Sequence, residues 1–225
     1  YKKPVDEITE DDIEKYLTGK RRKLAKSTCV HIKNAMSNSF KRAVKARVIK
    51  TNPCKGAEIP EGKDDAKVLA EPYNEQEITQ LLEAFKGSRH YPLVLFLCKT
   101  GVRIGEAIAL QLDDLDRDGR KASINKGIVR GQISTPKNGK AREIDLTPAL
   151  VAVLRKLRLK NKIRGPYVFQ NLSGVHVDVN NFRNRIWRDT LAKNDLRKVR
   201  IHDLRHSYAS ILIHKTKDLH YAKEQ

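Results

Sequence analysis

The sequence predicts a mainly α-helical protein with one small antiparallel β-sheet, an α+β chain divided into two unequal domains. Apolar residues recur at helical spacing along most of its 225 residues, which indicates amphipathic helices. Between about residues 121 and 146 they alternate with polar residues, which is typical of half-buried strands. Residues 53–73 contain five Pro or Gly residues among charges, the composition of an exposed connection. We therefore expect a first domain at 1–60, a linker at 61–73 and a second domain at 74–225.

The first domain is predicted to contain two helices. Thr9 and Asp12 have the spacing of a capping box, so a helix should begin there. A second helix should extend from near Ser27 to about Arg47, because its apolar residues recur one helical turn apart. Asn52-Pro53 should end the unit.

Several helices and one hairpin are predicted in the second domain. Asn74 and Glu77 resemble a capping box, so a helix should follow Asn74. Asn138-Gly139 separates two of the alternating stretches and is a strong hairpin signal. The other helices are expected at residues 93–99 with Gly101 as the closing residue, at 103–110, after Thr147-Pro148, and at 180–191.

The charge of the chain indicates a polyanionic partner. Lys and Arg number 46 against 27 Asp and Glu, which gives a formal net charge of +19. No membrane partner is expected, because the longest apolar run, residues 91–98, is far shorter than the roughly 20 residues that a membrane span needs. The three cysteines are widely spaced and lack a CxxC pattern, so they are interpreted as reduced thiols of a cytoplasmic-type compartment.

A long basic stretch in the first domain favours duplex DNA as that partner. From Lys15 to Ala57 there are thirteen Lys or Arg residues and no Asp or Glu. A solvated helix face usually mixes both signs of charge, so this sorting favours phosphate binding. Aromatic residues are scarce here, which argues against stacked single strands. The candidate DNA-binding residues are Arg21, Arg22, Lys26, Lys33, Lys41, Arg42 and Lys45.

A phosphate-binding motif is predicted near the end of the chain. His202 and Arg205 lie three residues apart at the start of an apolar run, so they would share one face of a helix. A proton-transfer group beside a rigid fork of N–H donors suits a phosphate whose P–O bond breaks. His202 and His206 could instead form half of a metal site, but Arg205 would then lie beside a cation. We therefore expect no metal at this motif. No cofactor is expected either.

Each candidate residue also has a simpler explanation when it is taken alone. Arg103 could be a surface arginine paired with Glu106 one turn away, since such pairs are common and weak. His202 and His206 could be hydrogen-bonded structural histidines. Lys137, next to the Asn-Gly turn, could be a solvated hairpin lysine. The order of the motifs along the chain favours the functional interpretation.

Three motifs together resemble the tyrosine recombinase, or phage integrase, family. They are Thr100-Gly-Val-Arg103-Ile-Gly-Glu106-Ala-Ile-Ala-Leu110, then Pro136-Lys137 with Arg142-Glu-Ile-Asp-Leu146 behind it, and finally His202-Asp-Leu-Arg205-His206. The resemblance implies a helical core-binding domain and a mixed α/β catalytic domain of the DNA breaking-rejoining type, which hold duplex DNA from opposite sides.

The resemblance also implies a role for each motif residue. Arg103 and Arg205 would bind the non-bridging oxygens of the scissile phosphate and stabilise the charge of its transition state. His202 would assist proton transfer at the nucleophile, and Lys137 would protonate the leaving 5′ oxygen, with Lys140 as the alternative lysine. Glu106 and His206 would support the site, Glu106 by orienting Arg103.

One expected group falls outside the motifs. The family's nucleophile is a tyrosine that forms a 3′-phosphotyrosyl intermediate, so strands rejoin without ATP or metal. In the family this tyrosine lies well beyond the second arginine motif. Tyr221 lies too early in the sequence, and both Tyr221 and Tyr208 are expected to pack. The chain is thus interpreted as a fragment, N-terminally and C-terminally incomplete, that binds DNA but does not cleave it.

The expected parent protein is a site-specific recombinase, or integrase, that serves a phage or another mobile element, with a conjugative element or chromosome resolution left open and the direction of recombination not specified by the sequence. It would act on duplex recombination sites as a synaptic tetramer of identical chains, at the nucleoid in the cytoplasm of a bacterial host. Two other classes stay open: a type IB topoisomerase-like enzyme, and a non-enzymatic DNA-binding regulator whose arginines only position phosphates.

Overall fold

The computed structural model describes residues 3–61, 71–116, 118–135, 141–160 and 165–218. Its secondary structure is mainly helical with short antiparallel strands, which confirms the predicted fold class. By its internal contacts the chain divides into two compact units, Tyr1–Leu69 and Ala70–Gln225. No helix in the described ranges combines the length and the apolar character needed to cross a bilayer.

The first unit is built on helices α1 (Glu10–Arg21) and α2 (Lys26–Lys45), which follow a 3-10 turn at Val5–Glu7. The predicted capping box at the start of α1 is present. The backbone N–H of Asp12 donates to Thr9 Oγ1 at 3.3 Å, and the N–H of Thr9 donates to Asp12 Oδ2 at 2.9 Å. These two bonds satisfy backbone donors that the first helical turn leaves without partners.

A small apolar core joins the two helices to the segment that follows them. The side chain of Asn52 ties this segment to α2, since its Nδ2 donates to the carbonyl of Ser37 at 3.0 Å. Its Oδ1 accepts from the N–H of Cys54 at 2.9 Å. The buried core residues are Ile13, Leu17, Cys29, Phe40, Cys54 and Ala57. The segment after α2 is therefore part of this fold.

The second unit contains most of the protein's core, and its central element is the almost completely buried helix α4. Its helices, in order, are α3 (Glu75–Phe85), α4 (Tyr91–Thr100), α5 (Ile104–Ala109), α6 (Pro148–Lys160), α7 (Val179–Asn181), α8 (Arg188–Lys193) and α9 (Asp203–Thr216), with a 3-10 turn at Leu112–Asp114. The predicted helix starts at Asn74 and Thr147 are confirmed, because each side chain accepts a backbone N–H of the first turn.

The strands differ from the single hairpin that was expected. Within the described residues they form two separate two-stranded antiparallel sheets, one of β1 (Lys121–Ile124) with β4 (Arg142–Asp145) and one of β2 (Gly127–Val129) with β3 (Gln132–Ser134). The tight turn lies at Arg130-Gly131, where both residues have positive φ. Asn138-Gly139 lies outside the described residues. The alternating pattern identified the strands, but the prediction of one sheet was wrong because alternation does not specify a strand's partner.

The helix predicted at 180–191 is irregular. Between α7 and α8 the chain makes a π-helical turn at Phe182–Trp187. Trp187 stacks on Phe85 with ring centroids 5.7 Å apart, and its indole N–H donates to the carbonyl of Val199 at 2.9 Å. This contact fixes the chain just before α9, where the candidate site begins.

Candidate active site

Helix α9 begins at the His202–His206 motif and is anchored by a buried carboxylate. Asp203 Oδ2 accepts the backbone N–H of Arg200 at 2.8 Å, and its Oδ1 accepts Arg200 Nη2 at 2.8 Å. Burial raises the pKa of Asp203, but the hydrogen bonds from Arg200 outweigh it and hold that pKa below its ordinary value. Asp203 is thus an ionised anchor that fixes the N-terminus of α9 and the residues on it.

Arg205 reaches from α9 to the end of α4. Its Nη1 donates to the carbonyl oxygen of Gly101 at 2.7 Å. Gly101 closes α4 in the left-handed conformation, with φ of 62°, which confirms the predicted helix end. The ring of Tyr208 lies against Gly101 so closely that a Cβ there would be 2.4 Å from Tyr208 Cδ1. Only glycine allows Tyr208 to approach the backbone this closely. The carbonyl of Gly101, held in this position, orients Arg205.

Arg103 is oriented by a different acceptor. It lies at the N-cap position of α5, and its Nη1 donates to Oε1 of the buried Glu106 at 3.1 Å. Glu106 also accepts the backbone N–H of Arg103 at 3.1 Å. A second arginine, Arg142 at the start of β4, donates its Nη2 to Glu106 Oε2 at 2.8 Å. One carboxylate therefore binds two guanidinium groups from different elements.

The clustered positive charges perturb both Arg205 and His202. Burial lowers the pKa of Arg205, and the charges of Arg103 and Arg142 lower it further. Burial also lowers the pKa of His202, with contributions from His206 and from Arg103. The rings of His202 and His206 meet edge to face, with centroids 5.4 Å apart. A lowered pKa favours the neutral imidazole near pH 7, and this form can accept a proton.

A groove of about 940 Å³ opens beside these residues. Arg103 and His202 line it together with His176 and Asn180, and the β2–β3 hairpin contributes Arg130. The first turn of α5 packs tightly beneath the hairpin. Among the described residues, no group of three His, Cys, Asp or Glu side chains could hold a metal ion. The groove presents the guanidinium groups of Arg103 and Arg130, which suit an anionic substrate, while its two carboxylates, Glu106 and Asp178, accept hydrogen bonds from the protein.

One protein family matches the sequence of the second unit. The model of the phage integrase family matches residues 73–225. The chain belongs to the phage integrase family. This result confirms the resemblance found in the sequence.

Curated relatives of the chain include recombinases and mobile-element integrases. A tyrosine recombinase XerC-like protein of Caldanaerobacter subterraneus is 25% identical over 89% of the chain, and the ICEBs1 integrase of Bacillus subtilis is 26% identical over 90%. The chain spans 58% of the length of each of these two proteins. The tyrosine recombinase XerC of Bacillus licheniformis is 28% identical over 99% of the chain and 73% of that protein.

Solved structures share the fold at low sequence identity. The Tn1549 transposon integrase, solved with a circular intermediate DNA, has a TM-score of 0.82 at 19% identity, over 99% of this chain and 79% of its own. A λ integrase dimer bound to a core site has a TM-score of 0.77 at 16% identity, over 98% and 78%. These likenesses show that the chain shares its fold with these two structures.

The structure brings several of the sequence-predicted site residues together. Arg103 and His202 line one groove, Arg205 is within electrostatic range of Arg103, and Glu106 binds Arg103 as expected. His206 is exposed beside His202. Tyr208 packs against Gly101. The predictions for Lys137, Lys140 and Tyr221 lie outside the described residues.

Arg142 is a member of the cluster that the sequence did not single out as a site residue. It follows Lys137 by five positions and belongs to the second of the three family-like motifs. Its partner Glu106 lies 36 residues earlier in the chain, so no local pattern links the two. The available sequence signal for a site residue was an arginine at the start of a strand, two positions before the buried Ile144.

The seven basic residues predicted to bind DNA in the first unit differ in their surroundings. Lys33 donates to the carbonyl of Ala57, and Lys26 forms an ion pair with Glu61. Arg21 donates to the carbonyl of Leu24 at 3.0 Å. The other four are exposed on the surface of the unit: Arg22, Lys41, Arg42 and Lys45. Three of the seven therefore have partners inside the unit.

Proposed function

We propose that the full-length protein carrying this chain is a site-specific DNA recombinase. It cleaves and rejoins duplex DNA through a 3′-phosphotyrosyl intermediate and integrates phage or other mobile DNA. Relatives named tyrosine recombinase and integrase support this proposal, as does the likeness to integrases solved on DNA. Residues 74–225 would form the catalytic domain, residues 1–60 the core DNA-binding domain, and 61–73 the linker.

The observation that carries the proposal is the pair of oriented arginines beside a histidine. Arg103 and Arg205 each have one terminal nitrogen bound to a protein oxygen, at 3.1 and 2.7 Å. Each guanidinium therefore has a fixed direction and further N–H groups to donate. Two such forks can hold a phosphate's non-bridging oxygens without reorganisation as charge develops, which lowers the barrier. His202, with its lowered pKa, supplies a proton acceptor at the same groove.

The proposed cleavage step is a displacement at phosphorus, in which one P–O bond forms and one breaks. A tyrosine hydroxyl of the full-length protein attacks, the new bond joins its oxygen to phosphorus, and the bond from phosphorus to the 5′ oxygen breaks. His202 assists removal of the hydroxyl proton. Lys137 protonates the departing 5′ oxygen, a role that suits the ammonium group of a lysine. Rejoining is the reverse, so the energy of the phosphodiester is kept in the tyrosyl phosphate.

The first unit would provide affinity for the DNA duplex. Its exposed cations on α2, Lys41, Arg42 and Lys45, suit phosphate contacts that are insensitive to sequence. Recombination joins two sites, so we propose that identical chains assemble on DNA as a synaptic tetramer. The proposed place of action is the nucleoid in the bacterial cytoplasm.

A suicide substrate tests the proposal. The full-length protein is incubated with its duplex site, nicked next to the cleavage position so that the 5′ product diffuses away. We expect a covalent protein–DNA adduct that resists denaturing electrophoresis. Arg103→Ala and Arg205→Ala should each slow its formation by about 10²- to 10³-fold while binding is retained. Arg155→Ala removes an arginine of α6 that donates to the carbonyl of Asp118, and serves as the matched control.

Other results would point to the alternative classes. Relaxation of supercoiled plasmid without any recombination site would identify a type IB topoisomerase-like activity. If the full-length protein formed no adduct and the arginine variants only weakened binding, a non-enzymatic regulator would replace the recombinase.

A further inference from the structure

We propose that Arg142 is a positioning residue that acts on Arg103 through Glu106. This inference rests on the proposed function, in which Arg103 binds the scissile phosphate. The starting observation is the Glu106 carboxylate, whose side chain is 7% exposed and which accepts hydrogen bonds from both arginines. Arg103 lies at the start of α5 and Arg142 at the start of β4, so the carboxylate links two elements distant in sequence.

The donors of the two arginines are used differently. Both terminal nitrogens of Arg142 face the carboxylate, Nη2 at 2.8 Å from Oε2 and Nη1 at 3.5 Å from Oε1. Arg103 gives Glu106 only one side-chain nitrogen, Nη1. The side chain of Arg142 is 25% exposed and that of Arg103 is 50% exposed. Arg142 therefore faces the protein, and Arg103 keeps its remaining donors for a phosphate.

The need for Arg142 follows from the burial of Glu106. A buried carboxylate requires partners for its lone pairs, and one guanidinium supplies only part of them. Without Arg142, Glu106 would draw a second donor of Arg103 toward itself, in the bidentate geometry that arginine and carboxylate prefer. That donor would then no longer be available to the phosphate. Arg142 thus keeps Arg103 bound to Glu106 through one side-chain nitrogen only.

The ionisation of Glu106 depends on the same contact. Burial raises the pKa of Glu106, while the hydrogen bond and the charge of Arg142 lower it, and the net pKa lies below its ordinary value. Arg103 contributes less to this lowering than Arg142 does. Loss of Arg142 should therefore raise the pKa of Glu106 even when Arg103 remains.

An adjacent ion pair provides a control for effects on the sheet alone. In the β1–β4 ladder, Arg142 is opposite Ile124 and Glu143 is opposite Ser123. Lys121 donates to Glu143 across this ladder at 3.3 Å, with both side chains more than half exposed. Lys121→Ala removes a cation from the same sheet without touching Glu106. It should therefore leave the cleavage rate unchanged.

The kinetic experiment compares variants of the full-length protein on the nicked substrate. Arg142→Ala should slow adduct formation by about 10- to 100-fold, the cost of misplacing a group in the transition state, while the Kd for DNA stays within about twofold. Arg142→Lys should recover only part of the rate, since an ammonium cannot span both carboxylate oxygens. Combined with Glu106→Gln, Arg142→Ala should add little further loss, because both changes act through one contact.

A carboxyl titration of the 225-residue chain tests the contact independently of cleavage. With ¹³C-labelled glutamate, Arg142→Ala should raise the Glu106 pKa, and Lys121→Ala should not. An unchanged Glu106 pKa, an unchanged cleavage rate, a rate that falls only in parallel with DNA affinity, or fully additive effects with Glu106→Gln would each overturn the positioning role. If the unaltered protein formed no adduct, the recombinase proposal would fail, and the titration would still decide whether Arg142 controls Glu106.

Discussion

The two units of the chain use positive charge in different ways. On α2 of the first unit, Lys41, Arg42 and Lys45 are exposed to solvent. In the second unit, Arg103 and Arg205 are each directed by a hydrogen bond to a protein oxygen. Exposed cations attract a polyanion from many directions, whereas fixed guanidinium groups distinguish one phosphate geometry from another. Affinity for a polyanion therefore needs only charge, while stabilisation of one phosphate geometry needs charge with a defined direction.

The acceptors that create this difference are also distributed unevenly. Between Lys15 and Ala57 the sequence contains no Asp or Glu, so the exposed cations of α2 have no carboxylate on their own helix to pair with. The second unit supplies the buried Glu106 and the carbonyl of Gly101. Because both acceptors are held in place by the packed core, the orientation of Arg103 and Arg205 depends on tertiary packing. Packing defects should therefore impair the second unit's site more than they impair the DNA affinity proposed for the first unit.

The largest effect is expected at Gly101. Gly101→Ala places a Cβ 2.4 Å from Tyr208 Cδ1 at a position with φ of 62°. We expect a loss of about 3 kcal/mol in the free energy of unfolding, from left-handed strain and overpacking together. Urea denaturation of the chain measures it. Cleavage by the full-length protein should fall as well, since the carbonyl that directs Arg205 moves.

Gly87→Ala is the matched control for that change. Gly87 also has positive φ, 78°, but a Cβ there meets nothing within 4 Å. Its cost should be limited to the backbone strain, about 1–2 kcal/mol. Equal losses for the two variants would show that Tyr208 yields to the added atom, and the close approach would then have no role in orienting Arg205.

A smaller effect is expected from the exposed cations of α2. The double change Lys41→Ala with Arg42→Ala should weaken binding of the chain to duplex DNA by about tenfold, or about 1.4 kcal/mol. The loss should be similar for all duplex sequences, and the slope of log K against log salt should become shallower by about one for each phosphate that the variant no longer binds. Fluorescence anisotropy at several salt concentrations measures both quantities.

Lys33→Ala separates charge from structure within the same unit. Lys33 lies on α2 but donates to the carbonyl of Ala57, so its removal should lower stability and change the salt slope less than loss of Lys41 does. A salt slope that changed as much as for Lys41→Ala would mean that Lys33 leaves Ala57 to bind DNA. The contrast between bound and exposed cations would then not hold inside the first unit.

Local features of the fold were predictable from sequence because both partners lie within one turn. The capping boxes at Thr9 and Asn74 pair residues three apart, and Gly101 closes α4 through its own backbone conformation. The ion pair of Arg103 with Glu106 has the same spacing. Such contacts depend on helical geometry alone, so residue type and spacing are sufficient to predict them.

The rest of the site could not be predicted because its contacts are distant in sequence. Arg205 binds the carbonyl of Gly101, 104 residues earlier, and Arg142 binds Glu106 across 36 residues. A backbone carbonyl carries no sequence signal. The pairing of β1 with β4 was missed for the same reason, since alternation shows which face of a strand is buried and leaves its partner open.

The smallest effect compares the two capping boxes and tests whether the units unfold separately. Thr9→Ala removes the acceptor of the Asp12 N–H, and Asn74→Ala removes that of the Glu77 N–H. Each should cost about 1 kcal/mol. Because each box lies in a different compact unit, Thr9→Ala should speed hydrogen exchange in α1 and α2, and Asn74→Ala should do so in α3 and its packing partners. Mass spectrometry of deuterated peptides measures this.

The smaller core of the first unit leaves it less stability to lose, so Thr9→Ala should have the larger relative effect on its own unit. Exchange that rose equally in both units with either variant would show that they unfold as one, and the contrast between them would then lie only in their surfaces.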